Sequence, residues 1–155
     1  MARLKQTYPE QGFFGIGIMN NVDELNIGTL WRSAYILGAS FIFTVDKRYK
    51  KQTSDVTNAW QRIPLYHYDT VDDLLKNLPY DTPLVGVELD DNAVEIESFS
   101  HPHRCVYLLG NEQSGLTKEA ITKCHRLIQL PGSYSLNVSV AGSIVMYDRA
   151  AKLKR

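Results

Sequence analysis

The sequence predicts an α/β protein with a mostly parallel sheet flanked by helices. Two observations point there. Strand-like apolar runs alternate with helical repeats along the chain, and one run, RCVYLLG at 104–110, is apolar almost throughout. Alternation of this kind builds parallel sheets covered on both faces, whose strands lose the polar side of the pattern. A third observation bounds the answer. The chain has 155 residues and shows no internal repeat, low-complexity tract or linker, so residues 1–155 are read as one domain.

The elements follow in order. Residues 12–20, GFFGIGIMN, are apolar and Gly-rich and form a first strand. Their glycines stand in the wrong order for G-x-G-x-x-G and lie inside the strand, which favours close backbone packing over a dinucleotide loop. Residues 26–39 place Leu30, Ala34 and Leu37 at helical spacing, with Asn26 or Gly28 opening the helix. Residues 40–46 are a second strand and residues 63–69 a third. The sequel DTVDDLLKNL is an amphipathic helix opened by an Asp or Thr cap. Residues 83–89 and 104–110 are the fourth and fifth strands, 117–124 a helix capped by Thr117, and 126–131 a sixth strand. The last stretch, LPGSYSLNVSVAGSIVMYD at 130–148, reads as a strand by alternation and as a buried helix by length.

Composition excludes some classes. Hydrophobic residues make up 44%, charged residues 22%, and the net charge is zero. A globally basic nucleic-acid-binding domain is therefore not indicated. DKRYKK at 46–51 and AKLKR at 151–155 remain as local basic patches. Cys105 and Cys124 lack metal spacing and read as buried thiols of a reducing cytoplasm. HPHR at 101–104 pairs two histidines without a cysteine or carboxylate cluster, so it reads as a surface loop and no metal is expected. No run has the length of a membrane span, and the first residues have no leader-like apolar core.

Parallel sheets bind ligands beyond the carboxyl ends of their strands. Three loops lie there: 20–28, 110–116 and 130–137. They carry Asn26-x-Gly28-x-x-x-Arg32, then Gly110-Asn-Glu112-x-x-Gly115-Leu116, then Ser135-Leu-Asn137-Val-Ser139-Val-Ala141. Each string alone is weak. In this order, over nearly the whole chain, they resemble the three motifs of the SpoU/TrmH branch of the SPOUT methyltransferases. The chain departs from that pattern in one place. Gln129 stands for a proline, and only Ser133 and Tyr134 separate Gly132 from Ser135, which shortens the loop by about one residue.

The resemblance implies a sheet with a C-terminal trefoil knot, a homodimer, and transfer of methyl from S-adenosylmethionine to an RNA ribose 2′-hydroxyl in tRNA or rRNA. The chain is similar in size to the family's small tRNA wobble-ribose methylases. By carry-over the cofactor contacts Glu88, Leu109, Gly110, Asn111, Glu112, Gly115, Ile128, Leu130, Ser135, Leu136, Asn137 and Ala141, with adenine against the backbone of Ile128, Leu130 and Leu136. Arg32 matches the family's arginine, read as the base or as a bidentate grip on the neighbouring phosphate. Asn26 orients Arg32 or the ribose, and Glu112 bonds cofactor or partner backbone. Ser135 and Asn137 face the chemistry, Ser135 also serving as a helix cap, while Ser139 and Ser143 are packing. The resemblance also resolves the last stretch as a buried helix from near Ser135 to the basic carboxyl end. A base-methylating SPOUT enzyme and a non-catalytic RNA-binding factor are the rival readings. DKRYKK is the candidate phosphate contact, set against a plain solvated loop.

Overall fold

The structure, a computed structural model, describes residues 12–48 and 62–153. Its strands form one seven-stranded sheet in the order β3-β2-β1-β6-β4-β7-β5. These are β1 Phe13–Met19, β2 Phe41–Val45, β3 Leu65–Tyr68, β4 Leu84–Val87, β5 Val94–Glu95, β6 Arg104–Leu109 and β7 Arg126–Gln129. Every neighbouring pair is parallel. The helices are α1 Glu24–Leu37, α2 Val71–Lys76, α3 Lys118–Lys123 and α4 Val138–Leu153, with a 3₁₀ turn at Ile96–Ser98. The mostly parallel, helix-flanked sheet expected from the sequence is present.

The side-chain alternation of the strands divides the core in two. Phe14, Ile16 and Ile18 of β1, Ile42 of β2 and Tyr107 and Leu109 of β6 pack under α1 and α4. Phe41, Phe43 and Val45 of β2 and Val106 and Leu108 of β6 pack against Val71 and Leu74 of α2 and Ala120 of α3. The glycines of β1 belong to the second face. Gly15 and Gly17 pair with Phe41 and Phe43, and a Cβ on either would lie 2.3–2.4 Å from those rings. The close-packing reading of GFFGIG is the one the sheet realises.

Several boundaries differ from expectation. α1 begins at Glu24, because the Asp23 side chain accepts from the Leu25 N–H; Asn26 and Gly28 lie inside the helix. α2 takes Thr70 as its cap and α3 takes Thr117. α4 begins at Val138 rather than near Ser135. Its cap is Asn137, whose Oδ1 accepts from the N–H groups of Ser139 and Val140 at 3.0 and 3.3 Å. β5 has no apolar run to announce it: Val94 and Glu95 are both exposed, and the strand exists only through its ladder with β7. Cys105 is buried but Cys124 is only half-buried.

A polar clasp holds the far end of α4. Arg149 is fully buried, stacks over Phe14, and donates to the carbonyls of Pro102 and His103 at 2.7 and 2.8 Å and to the Tyr107 hydroxyl at 3.1 Å. His101 bonds Tyr107 through Nδ1 at 2.7 Å and Asp148 through Nε2 at 2.6 Å. Lys152 pairs with Asp148 at 2.8 Å and donates to the Phe99 carbonyl at 2.9 Å. With Nε2–H donating to the carboxylate, Nδ1 accepts from the phenol and the phenol oxygen accepts from Arg149, so one tautomer satisfies the whole chain. The surface-loop reading of HPHR is thus corrected for His101, which is buried; His103 is exposed. Burial of His101 lowers its pKa below 6.5, with Arg149 and Lys152 lowering it further and Asp148 opposing them.

Candidate active site

The carboxyl ends of β1, β6, β4 and β7 open onto one rim, and the three motif loops meet there. Asn111 organises the middle loop. Its Oδ1 accepts from the N–H groups of Gln113 and Ser114 at 2.9 and 2.7 Å, and its Nδ2 donates to the Asn20 carbonyl at 2.9 Å. This ties the loop after β6 to the end of β1. Gly115 closes the turn with φ +65°, a left-handed conformation that glycine adopts without strain. A Cβ there would lie 2.3 Å from Glu88 Oε2.

Glu88 is a clip between loops. Oε2 accepts from the Leu116 N–H at 2.7 Å and Oε1 from the Leu89 N–H at 3.0 Å. Both carboxylate oxygens therefore carry backbone bonds, and the one from Leu116 holds the β4 and β6 loops together. The Glu88 N–H in turn donates to the Ile128 carbonyl at 3.0 Å, joining the end of β4 to β7 just before the third loop.

A cleft lies between these loops. Of the residues expected to contact a cofactor, Glu88, Leu109, Gly110, Asn111, Gly115, Leu130, Ser135, Leu136 and Ala141 line it. Ile128, Glu112 and Asn137 do not. Ile128 is buried beneath in the core. Val87, Leu89, Pro131, Tyr134 and Val138, not expected as contacts from the sequence, complete the wall. Val138 gave no separate signal because it is one more apolar residue in an apolar helix. The lining is apolar on Leu109, Leu130, Val138 and Ala141, with backbone exposed at Gly110.

Glu112 and Asn137 form a second cluster with Asn26. The Asn26 amide donates to Glu112 Oε1 at 2.5 Å. Asn137 Nδ2 donates to the same Oε1 at 3.0 Å and to Asn26 Oδ1 at 3.1 Å. One residue from each motif thus meets in a single network. Asn26 is buried inside α1 and has no hydrogen bond to Arg32; its amide is committed to Glu112 and Asn137. Arg32 is exposed further along α1, and Ser135 is exposed in the loop before α4. Ser139 is not plain packing: its hydroxyl donates to Asn137 Oδ1 at 2.6 Å. Ser143 bonds only the carbonyl one turn back. Of the basic patch 46–51, Lys47 and Arg48 are exposed just past β2, and residues 49–51 lie outside the described residues. Among the described residues no group of three or more His, Cys, Asp or Glu could hold a metal ion, and no helix is long and apolar enough to cross a membrane.

Comparison with known proteins gives this arrangement its relatives. The SpoU rRNA Methylase family model matches residues 15–147. The chain is similar to the tRNA (guanosine(18)-2'-O)-methyltransferase of Escherichia coli K12, at 26% identity over 131 residues, covering 79% of this chain and 56% of that enzyme. It therefore spans little more than half the length of that curated relative. A solved AdoMet-bound rRNA methyltransferase from Sinorhizobium meliloti matches with TM-score 0.80 and 25% identity over 94% of this chain and 58% of its own. A structure solved for the 2-OH methylation of C/U34 on tRNA matches with TM-score 0.81 and 17% identity over 92% of this chain and 97% of its own, a likeness of fold alone.

Proposed function

This chain belongs to the SpoU rRNA Methylase family, and from that membership we propose that it transfers a methyl group from S-adenosylmethionine to a ribose 2′-hydroxyl of tRNA or rRNA. The observation that carries the reading is the meeting of Asn26, Glu112 and Asn137, one residue per motif, beside a cleft built from the second and third motif loops and the end of β4.

The cleft fits the cofactor. Its apolar side chains suit an adenine ring, and exposed backbone at Gly110 offers polar partners. Leu109, Leu130, Leu136, Val138 and Ala141 would hold the ring, and Gly110 and Asn111 the polar portions. When bound, S-adenosylmethionine supplies an electrophilic methyl on a sulfonium. The chain's own task is to position a hydroxyl in line with it and to receive the hydroxyl's proton. Positioning of this kind supplies most of the rate in such reactions. Glu112 is held rigid through Oε1 by two amides, which leaves Oε2 as an acceptor. Arg32 is permanently charged, so in this reading it grips the phosphate beside the target ribose bidentately. Glu88 holds the Leu89 and Leu116 backbone and also lines the cleft, with acceptor capacity left on each oxygen.

The same reading treats residues 1–155 as one methyltransferase domain and includes a homodimer, a C-terminal trefoil knot and a cytoplasmic location. An apolar hollow between α1 and α4 supports the dimer. It is lined by Thr29, Val140, Ile144 and Tyr147, and Val140, Ile144 and Tyr147 are 47%, 39% and 67% exposed. Exposed apolar surface in one place marks an interface. The chain path supports the knot: after β7, near one sheet edge, the chain returns to lay α4 against α1 beside the central β1. RNA contact falls to the dimer surface, with Lys47 and Arg48 near the rim.

Calorimetry with S-adenosylhomocysteine, followed by incubation with RNA and nucleoside analysis by mass spectrometry, tests the function. Binding and a 2′-O-methylnucleoside are expected. A base-methylated nucleoside would make this a base methylase, and a folded protein that binds no S-adenosylhomocysteine would make it a non-catalytic RNA-binding factor.

A further inference from the structure

Tyr134 is the one aromatic ring among the described residues lining the cleft, and it is 87% exposed. Exposure alone does not single it out, because Tyr80 is 92% exposed. Tyr80, however, lies before β4 and lines no part of the cleft. Tyr134 stands next to Ser135 and three residues before Asn137, whose amide belongs to the Asn26–Glu112 network. Gly132, two residues before it, has φ +137°. The ring is therefore set on a loop at the mouth of the cleft, next to the polar network.

A ribose hydroxyl can be presented to a buried cofactor only if its nucleotide leaves the RNA stack. Unstacked bases are held by aromatic side chains, and such stacking tolerates any base because each has a π-face. The rest of the cleft wall consists of aliphatic side chains, Pro131, Ser135, Glu88, Asn111 and glycine backbone, none of which offers an aromatic face. We infer that Tyr134 stacks on the nucleobase of the target nucleotide and so is an RNA-binding residue of this site. The inference rests on the proposed methyl transfer to RNA. Arg32 and Glu112 then act on the sugar and phosphate, and Tyr134 on the base.

The test compares wild type, Tyr134→Phe and Tyr134→Ala on total RNA from a strain lacking the gene, beside S-adenosylhomocysteine calorimetry. For Tyr134→Ala the apparent KM for RNA rises roughly 5- to 150-fold, the range that loss of one stacked base gives. Its kcat at saturating RNA and its affinity for S-adenosylhomocysteine stay within about twofold of wild type, and Tyr134→Phe behaves like wild type. Unchanged KM in Tyr134→Ala overturns the inference. So does a parallel loss of S-adenosylhomocysteine affinity, which would place the ring on the cofactor. If wild type methylates RNA and Tyr134→Ala matches it, only this inference falls. If wild type binds S-adenosylhomocysteine yet methylates nothing in total RNA, the proposed function falls with it.

Discussion

Asn137 does two things with one amide. Its oxygen caps α4, and its nitrogen joins Asn26 to Glu112. The two roles separate by substitution. Asn137→Asp keeps an N-cap oxygen but removes the donor and sets a second carboxylate against Glu112. Methylation is expected to fall at least tenfold while helix content by circular dichroism is unchanged. Asn137→Ala loses the cap as well, at a further cost of about 1 kcal/mol in unfolding free energy, readable as a lower urea midpoint. Arg32→Lys probes the phosphate grip: it keeps the charge but not the fork, so RNA KM should rise well above wild type. Near-full activity would remove both the bidentate role and the base role from Arg32. The motif residues Asn26, Glu112 and Asn137 were legible in the chain, but their mutual bonding was not. Sequence spacing says nothing about which side chains meet across elements so far apart. Ser135 looked like the cap because a serine before an apolar run usually is one; the asparagine two residues later won because its longer arm reaches both the helix amides and the neighbouring loop.

At the scale of elements, the strands that sequence reading found best are those buried on both faces. β1, β2 and β6 carry nearly continuous apolar runs, interrupted only by the buried Thr44 in β2 and opened by the exposed Arg104 in β6. β5 was missed for the opposite reason, since two exposed residues carry no pattern. The end of α4 shows what periodicity does not reveal. Asp148, Arg149 and Lys152 look like a solvated polar end, yet they form the clasp with His101 and Tyr107. That clasp predicts a pH dependence. Burial lowers the His101 pKa in the fold, so the fold favours the neutral ring. Its stabilisation is complete above the ordinary value of 6.5 and is lost as the pH falls from there toward the lowered folded value. The groups facing the ring are Asp148, Arg149 and Lys152 on α4 and Tyr107 on β6. Urea midpoints at pH 7.5 and 5.5 should therefore fall further for wild type than for His101→Gln. An equal fall in both would remove His101 from the account.

For the whole molecule, the fold class followed from alternation, but the strand order did not. β6 pairs with β1 although the two are far apart in the chain, and β7 slips between β4 and β5. Such pairings are decided by which faces bury together, which no local pattern encodes. The proposed dimer belongs to this scale. Ile144→Glu sets a charge in the apolar hollow beside Val140 and Tyr147, and light scattering should find the monomer mass where wild type gives twice that value. An unchanged mass would move the interface elsewhere. α4 also has a mechanical character of its own. Its 16 residues form a rod about 24 Å long, with its cap in the Asn26–Glu112 network and its other end gripped in the core. A rigid rod anchored at one end transmits displacement to the other. A shift at the clasp would therefore be carried along one stiff body to the Asn137 network, so the two ends of the helix are mechanically one part.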